Sequence, residues 1–141
     1  MSTAPVAARP SNRWNIALWV AQGLLAVVYL FAGGAKLLQP IDGLVAMGMG
    51  YAADFPALFT RFVGLMEVLG ALGLILPAAA RIAPMLTPLA AVGLSFVQVS
   101  AIVLHATRGE TAMTLPANLV LLALSLFVVW GRLRKAPISS R

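Results

Sequence analysis

The sequence predicts an all-α membrane protein, a bundle of four transmembrane helices with both termini cytoplasmic. Three observations lead there. Of its 141 residues 61% are hydrophobic and only 10% charged, and a mean hydropathy of +0.95 is far above that of a soluble domain. Four runs with few or no charges, residues 14–35, 62–80, 82–107 and 111–131, are each close to or longer than the roughly 20 residues a helix needs to cross a ~30 Å hydrocarbon core. The short alternating segments of a membrane barrel are absent from the sequence. Finally, the basic residues fall unevenly. Arg9, Arg13, Arg81, Arg132, Arg134, Lys135 and Arg141 share one side, leaving Lys36, Arg61 and Arg108 on the other. Positive flanks stay in the cytoplasm, so both termini are expected there.

Helix one is expected to start after Ser11 or Asn12 and to end near Leu38, before Gln39-Pro40. Its length exceeds a signal-peptide core of about 7 to 15 residues, so an uncleaved helix is the reading adopted. The segment from Pro40 to Asp54 reads as an interfacial stretch with a short helix around Leu44 to Met47. Asp54 is the expected N-cap of helix two, with Pro56 in its first turn and Pro77 closing it. Thr87-Pro88 and Thr114 with Pro116 read as the starts of helices three and four. Residues 1–13 form an N-terminal tail, 14–132 the membrane domain and 133–141 a basic C-terminal tail. The charge of +6 then reflects topology, and Arg132 to Lys135 should meet anionic lipid head groups. Nucleic acid is a poor partner for such a chain. Tyr51, Trp14, Trp19 and Trp130 sit where interfacial anchors do.

Glu67 stands near the middle of the second run. A charge at the centre of a membrane helix costs about 2.5 to 3.5 kcal/mol on insertion scales, so it must be neutralised, hydrated or paired with Lys36 or Arg61. Because successive helices alternate in direction, Lys36, Arg61, His105 and Asn118 should ring the outer half of the bundle, with Glu67 roughly two turns deeper than Arg61. Ser95, Gln98, Ile102 and His105 lie on one stripe of helix three, and Asn118 and Ser125 are likewise seven residues apart. The candidate ligand-binding pocket is thus Lys36, Arg61, Glu67, Gln98, His105 and Asn118. The competing reading is structural: Gln98, Ser95 and Ser125 as interhelical glue, and Lys36 and Arg61 snorkelling. With no cysteine and one histidine, the chain alone supplies neither thiol redox chemistry nor a tetrahedral zinc site.

The ordered set Phe31-Ala-Gly-Gly-Ala-Lys36-Leu, Phe62-Val-Gly-Leu-Met-Glu67-Val-Leu-Gly, Leu86-Thr-Pro-Leu-Ala-Ala-Val-Gly93, His105 with Arg108-Gly-Glu110, Pro116-Ala-Asn118-Leu and Phe127-Val-Val-Trp-Gly-Arg132 resembles the DoxX-like family of small four-helix membrane proteins. The match runs over about residues 14 to 132. The resemblance implies that Lys36, Glu67 and His105 are the family's lysine, glutamate and histidine. It also implies a membrane subunit of a redox system, since the family takes its name from a subunit associated with thiosulfate:quinone oxidoreduction. Some relatives are linked to oxidative-stress membrane complexes, and a distant animal relative resembles a chaperone for ion-channel assembly.

Three functions follow as expectations. In the first, an outward-facing polar pocket holds a quinone or small anion in a bacterial inner (plasma) membrane, with electrons from a redox partner protein. The second is a non-catalytic scaffold or assembly factor, in which glycine-rich faces receive another membrane protein or a second copy. A small-solute or proton transporter is the weakest, because no inverted repeat is evident. Enzymatic activity by this chain alone is not expected.

Overall fold

The computed structural model describes residues 12–141. Arg9, Ser11 and most of the expected N-terminal tail lie outside the described residues. Helix α1 (Asn12–Leu38) is followed by the short α2 (Ile41–Ala46) and a 3₁₀ turn (Gly50–Ala53), then by α3 (Ala57–Ala80), α4 (Leu86–Thr107) and α5 (Thr111–Trp130), which runs into a π turn (Gly131–Lys135). Four of these helices are long and apolar enough to cross a membrane. They pack in a ring, α1 on α3, α3 on α4, α4 on α5, with α5 closing on α1.

The distribution of side chains is that of a bundle in lipid. Large apolar residues such as Val27, Phe31, Leu76, Phe96 and Val120 face outward on all four long helices, while Gln22, Lys36, Glu67 and Gln98 are buried. Small residues interleave with leucines in the core, where Ala21, Leu25, Ala71, Leu74, Ala91 and Leu94 meet. Without a hydrophobic driving force between helices, close packing and polar bonds hold such a bundle together. Gly33 and Gly64 let the backbones of α1 and α3 approach each other: a β-carbon at Gly64 would stand 2.8 Å from the Gly33 carbonyl.

Five expectations about helix ends are corrected. Pro77 does not close its helix; α3 continues to Ala80. A proline there leaves the carbonyl four residues back without its helical donor. That carbonyl, Gly73 O, instead accepts from the Thr87 hydroxyl at 2.9 Å. Thr87 is therefore a bridge between helices rather than a cap, and α4 starts before it, at Leu86. Thr114 and Pro116 likewise lie inside α5, with Thr114 donating back to Glu110 O at 3.0 Å. Asp54 does not cap α3, because it is taken by Arg108. The short helix of the connecting segment lies earlier than expected, at Ile41–Ala46.

The Pro77 bridge makes a testable pair. Thr87→Val should leave Gly73 O unpartnered in the bundle and lower stability by about 1–2 kcal/mol. In a Pro77→Ala background the restored amide serves that carbonyl, so the same change should cost measurably less. Equal losses in both backgrounds, read by unfolding in detergent, would refute the bridge.

Candidate functional site

At the end of the bundle that carries the long α1–α3 connection, an open cavity of about 940 Å³ is lined by parts of α1, α3, α4, α5 and the connecting segment. Lys36 reaches it from two residues before the end of α1 at Leu38, and Glu67 faces it from the third turn of α3. The two form a buried ion pair, Lys36 Nζ to Glu67 Oε1 at 2.8 Å. Of the two partners expected for Glu67, lysine is the one it takes. Arg61 lies elsewhere, donating through Nη1 to the carbonyls of Lys36 and Gln39, both at 2.6 Å. These carbonyls belong to the C-terminal end of α1, where backbone acceptors lack helical donors and cations are favoured. Arg61 thereby fixes the backbone that carries Lys36, and the cavity wall does not include it.

The stripe on α4 behaves as its spacing requires. Gln98 Nε2 donates to the Tyr29 hydroxyl at 2.8 Å, joining α4 to α1 across the cavity floor, and His105 stands higher on the wall. Ser95 and Ser125 satisfy themselves on the carbonyls four residues back. Asn118 completes the wall from α5. Five of the six candidate residues, Lys36, Glu67, Gln98, His105 and Asn118, therefore surround one space.

Three of them keep a buried polar atom without a partner among the described residues: Glu67 Oε2, Gln98 Oε1 and Asn118 Nδ2. Most buried polar atoms in proteins are hydrogen-bonded. Here the unfilled capacity of a carboxylate and two amides lies along one cavity. The rest of its wall is soft and aromatic, with Met47, Met66, Phe55, Phe59 and Phe62 among the lining residues. Phe62 of α3 and Phe96 of α4 also line it, yet they are 57% and 70% exposed on the lipid-facing surface. The cavity thus reaches that surface between these two helices. Nearer the termini, Gly70 against Leu94 and Gly73 against Ala90 hold α3 and α4 close.

A charged lattice covers the top. Arg108 pairs with Asp54 and, through Nε at 2.5 Å, with Glu110, whose other oxygen lies 3.2 Å from His105 Nδ1. Gly109, at φ +72°, makes the tight turn that brings Arg108, Glu110 and His105 together. Tyr51 is a correction, since it is buried edge-on against His105 at 6.1 Å rather than exposed as an anchor. Burial pushes its hydroxyl well above the ordinary range, with the charge of Glu67 adding to the effect; the residue lines the cavity while its hydroxyl donates to Met49 Sδ at 4.0 Å.

The Arg108 hydrogen bond holds the Glu110 carboxyl below its ordinary value of 4.5; partial burial opposes it and His105 assists it. A depressed folded-state value contributes stability that is present above 4.5 and lost as pH falls through the folded value beneath it. Wild type should therefore exceed Glu110→Gln in Tm from neutral pH to about pH 5, with the gap closing below that. A gap that persists in acid would show that Glu110 contributes through packing rather than charge.

A family model described as the DoxX-like family matches residues 20–128. The chain belongs to the DoxX-like family. The matched stretch carries every cavity residue named above, from Lys36 to Asn118. No curated protein and no solved structure gives a significant match to this DoxX-like chain. It is an integral, multi-pass membrane protein by its family and its four apolar helices.

The sequence reading missed three participants. Tyr29 carries no charge and lies within an apolar run, so only its bond to Gln98 reveals it. Gln22 and Arg132 form a second polar centre at the other end of the bundle. Arg132, expected among head groups with the basic tail, is buried instead.

Proposed function

We propose that this DoxX-like protein is the membrane subunit of a quinone-linked redox system, and that the cavity beside Glu67 holds the quinone head group. The observation that carries this reading is the set of three unpartnered polar atoms in an aromatic cavity that opens sideways toward lipid. A quinone offers carbonyl acceptors that become hydroxyl donors on reduction, matching an Asn118 amide and a Glu67 carboxylate respectively. Its flat ring suits walls of Phe55, Phe59 and Phe62, and its tail would leave between α3 and α4. Reduction consumes electrons and protons in equal number. The electrons come from a partner redox protein, while Glu67 and His105 relay protons and the Lys36 ammonium steadies developing negative charge on the ring oxygen. The setting is a bacterial plasma membrane with both termini cytoplasmic, as the basic residues favour.

Binding of a short-chain ubiquinone analogue to protein in lipid nanodiscs, followed by quenching of aromatic fluorescence, tests the reading. Wild type should saturate, and Glu67→Gln and Asn118→Leu should each weaken binding by about tenfold. Failure of folded wild type to bind saturably would overturn it.

A scaffold role is supported by a different observation. Gly23, Gly34 and Gly93 have open space where a side chain would stand, leaving small-residue patches of the kind against which a second membrane helix packs closely. Bulky substitutions there should abolish capture of a partner subunit while leaving quinone binding unchanged.

A further inference from the structure

Arg132 is 3% exposed. Its Nε donates to Gln22 Oε1 at 2.7 Å, and its Nη1 donates to Asn15 Oδ1 at 2.8 Å and to the Ala136 carbonyl at 2.9 Å. Gln22 in turn donates to the Leu74 carbonyl at 2.5 Å, and the face of Trp19 lies 5.4 Å from the guanidinium. All of these partners are neutral. The four carboxylate side chains of the whole sequence are Asp42, Asp54, Glu67 and Glu110. None is at this end: Asp54, Glu67 and Glu110 belong to the opposite site, and Asp42 lies in α2 of the same long connection. A buried cation without a counter-charge is costly, because neutral dipoles only partly replace its hydration.

Nη2 of this guanidinium has no partner among the described residues. Arg132 also lines a separate cavity of about 170 Å³, whose other walls are Ala83, Pro84, Met85, Thr87, Pro88, Pro137 and Ile138. Met85 and Thr87 also place the start of α4, a 22-residue helix, at the cavity; the Leu86 and Thr87 amides are taken by Ala83 O and Pro84 O, so the helix adds its dipole and no free donor. The C-terminal segment supplies one wall of the cavity through Pro137 and Ile138, and Arg81 holds it by donating to Ser139 O at 2.8 Å and Ser139 Oγ at 3.1 Å. An unsatisfied guanidinium, a helix N-terminus and a half-open cavity therefore coincide.

We propose that this cavity is a binding site for a phosphate-class oxyanion, with Arg132 Nη2 as its principal donor. The oxyanion supplies the missing counter-charge and an acceptor for a charge-assisted hydrogen bond. The apolar walls formed by Ala83, Met85, Pro137 and Ile138 suit the ester side of such a group. Two sources share this chemistry, the phosphodiester of an anionic phospholipid and free inorganic phosphate.

The test uses the full chain in nanodiscs of phosphatidylcholine, to which either phosphatidylglycerol or inorganic phosphate is added, with Tm and retained lipid by native mass spectrometry as readouts. A saturable rise in Tm with phosphatidylglycerol and a retained lipid assign the site to the head group. A saturable rise with inorganic phosphate alone assigns it to the free ion. Arg132→Gln should weaken either response by about tenfold or more. Should that variant not fold, Ile138→Trp fills the cavity without touching the bonds to Gln22 and Asn15, and should abolish the response while preserving the Tm in pure phosphatidylcholine. No response of wild type to either probe, or an unchanged response in Ile138→Trp, overturns the proposal.

Discussion

Glu67→Ala is expected to be the most damaging single substitution in the bundle, lowering stability by about 3–5 kcal/mol, because it strands the Lys36 ammonium in a buried position. The pair is 2.8 Å apart and almost wholly removed from solvent. Each charge has lost its hydration, and the partner's field is what compensates for that loss. Arg61 cannot step in, since its guanidinium is committed to the carbonyls of Lys36 and Gln39. Lys36→Met should be similarly harmful through the stranded carboxylate. The double variant Lys36→Met with Glu67→Leu removes both charges and should recover most of the stability, as apolar replacement of buried pairs does elsewhere. It should not recover ligand binding. Unfolding in detergent by denaturant titration measures all three proteins. A double variant as unstable as the singles would mean that the pair acts through specific packing and not through mutual neutralisation.

Much of this arrangement was legible in the sequence, for reasons that differ from residue to residue. The four helices follow from the length of the uncharged runs, because the bilayer sets that length. The convergence of Lys36, Glu67, Gln98, His105 and Asn118 follows from alternating helix direction together with the seven-residue spacing of Gln98 and His105. Arg61 was misplaced because depth along a helix does not fix azimuth; it points at the end of α1, where free carbonyls compete for it. The prolines misled for a related reason. In water a proline ends a helix when nothing else serves the freed carbonyl, but within a bundle a hydroxyl such as that of Thr87 can do so. Arg132 was read as a surface charge because its partners, Gln22 and Asn15, lie more than a hundred positions away in the chain.

Gly64→Ala is expected to cost about 1–3 kcal/mol although it adds a single methyl group, since overpacking a close contact forces backbone to move. The new carbon would stand 2.7 Å from Lys36 Cβ, 2.8 Å from Gly33 O and 3.3 Å from the Leu37 amide. Two of these three neighbours are backbone atoms, so rotation of a side chain cannot relieve the clash. Helices α1 and α3 must separate, and the separation acts at the level of Lys36, one turn from where its ammonium meets Glu67. Stability and ubiquinone-analogue binding should therefore fall together in this variant, whereas Gly93→Ala, with nothing within 4 Å of the added carbon, should leave both near wild type. If Gly64→Ala proves as mild as Gly93→Ala, the α1–α3 contact does not set the geometry of the pair. The contrast also explains why glycine was a weak guide in the sequence. Both positions lie in apolar runs among 12 glycines, and only the facing helix distinguishes the glycine that admits a backbone from the one that faces open space.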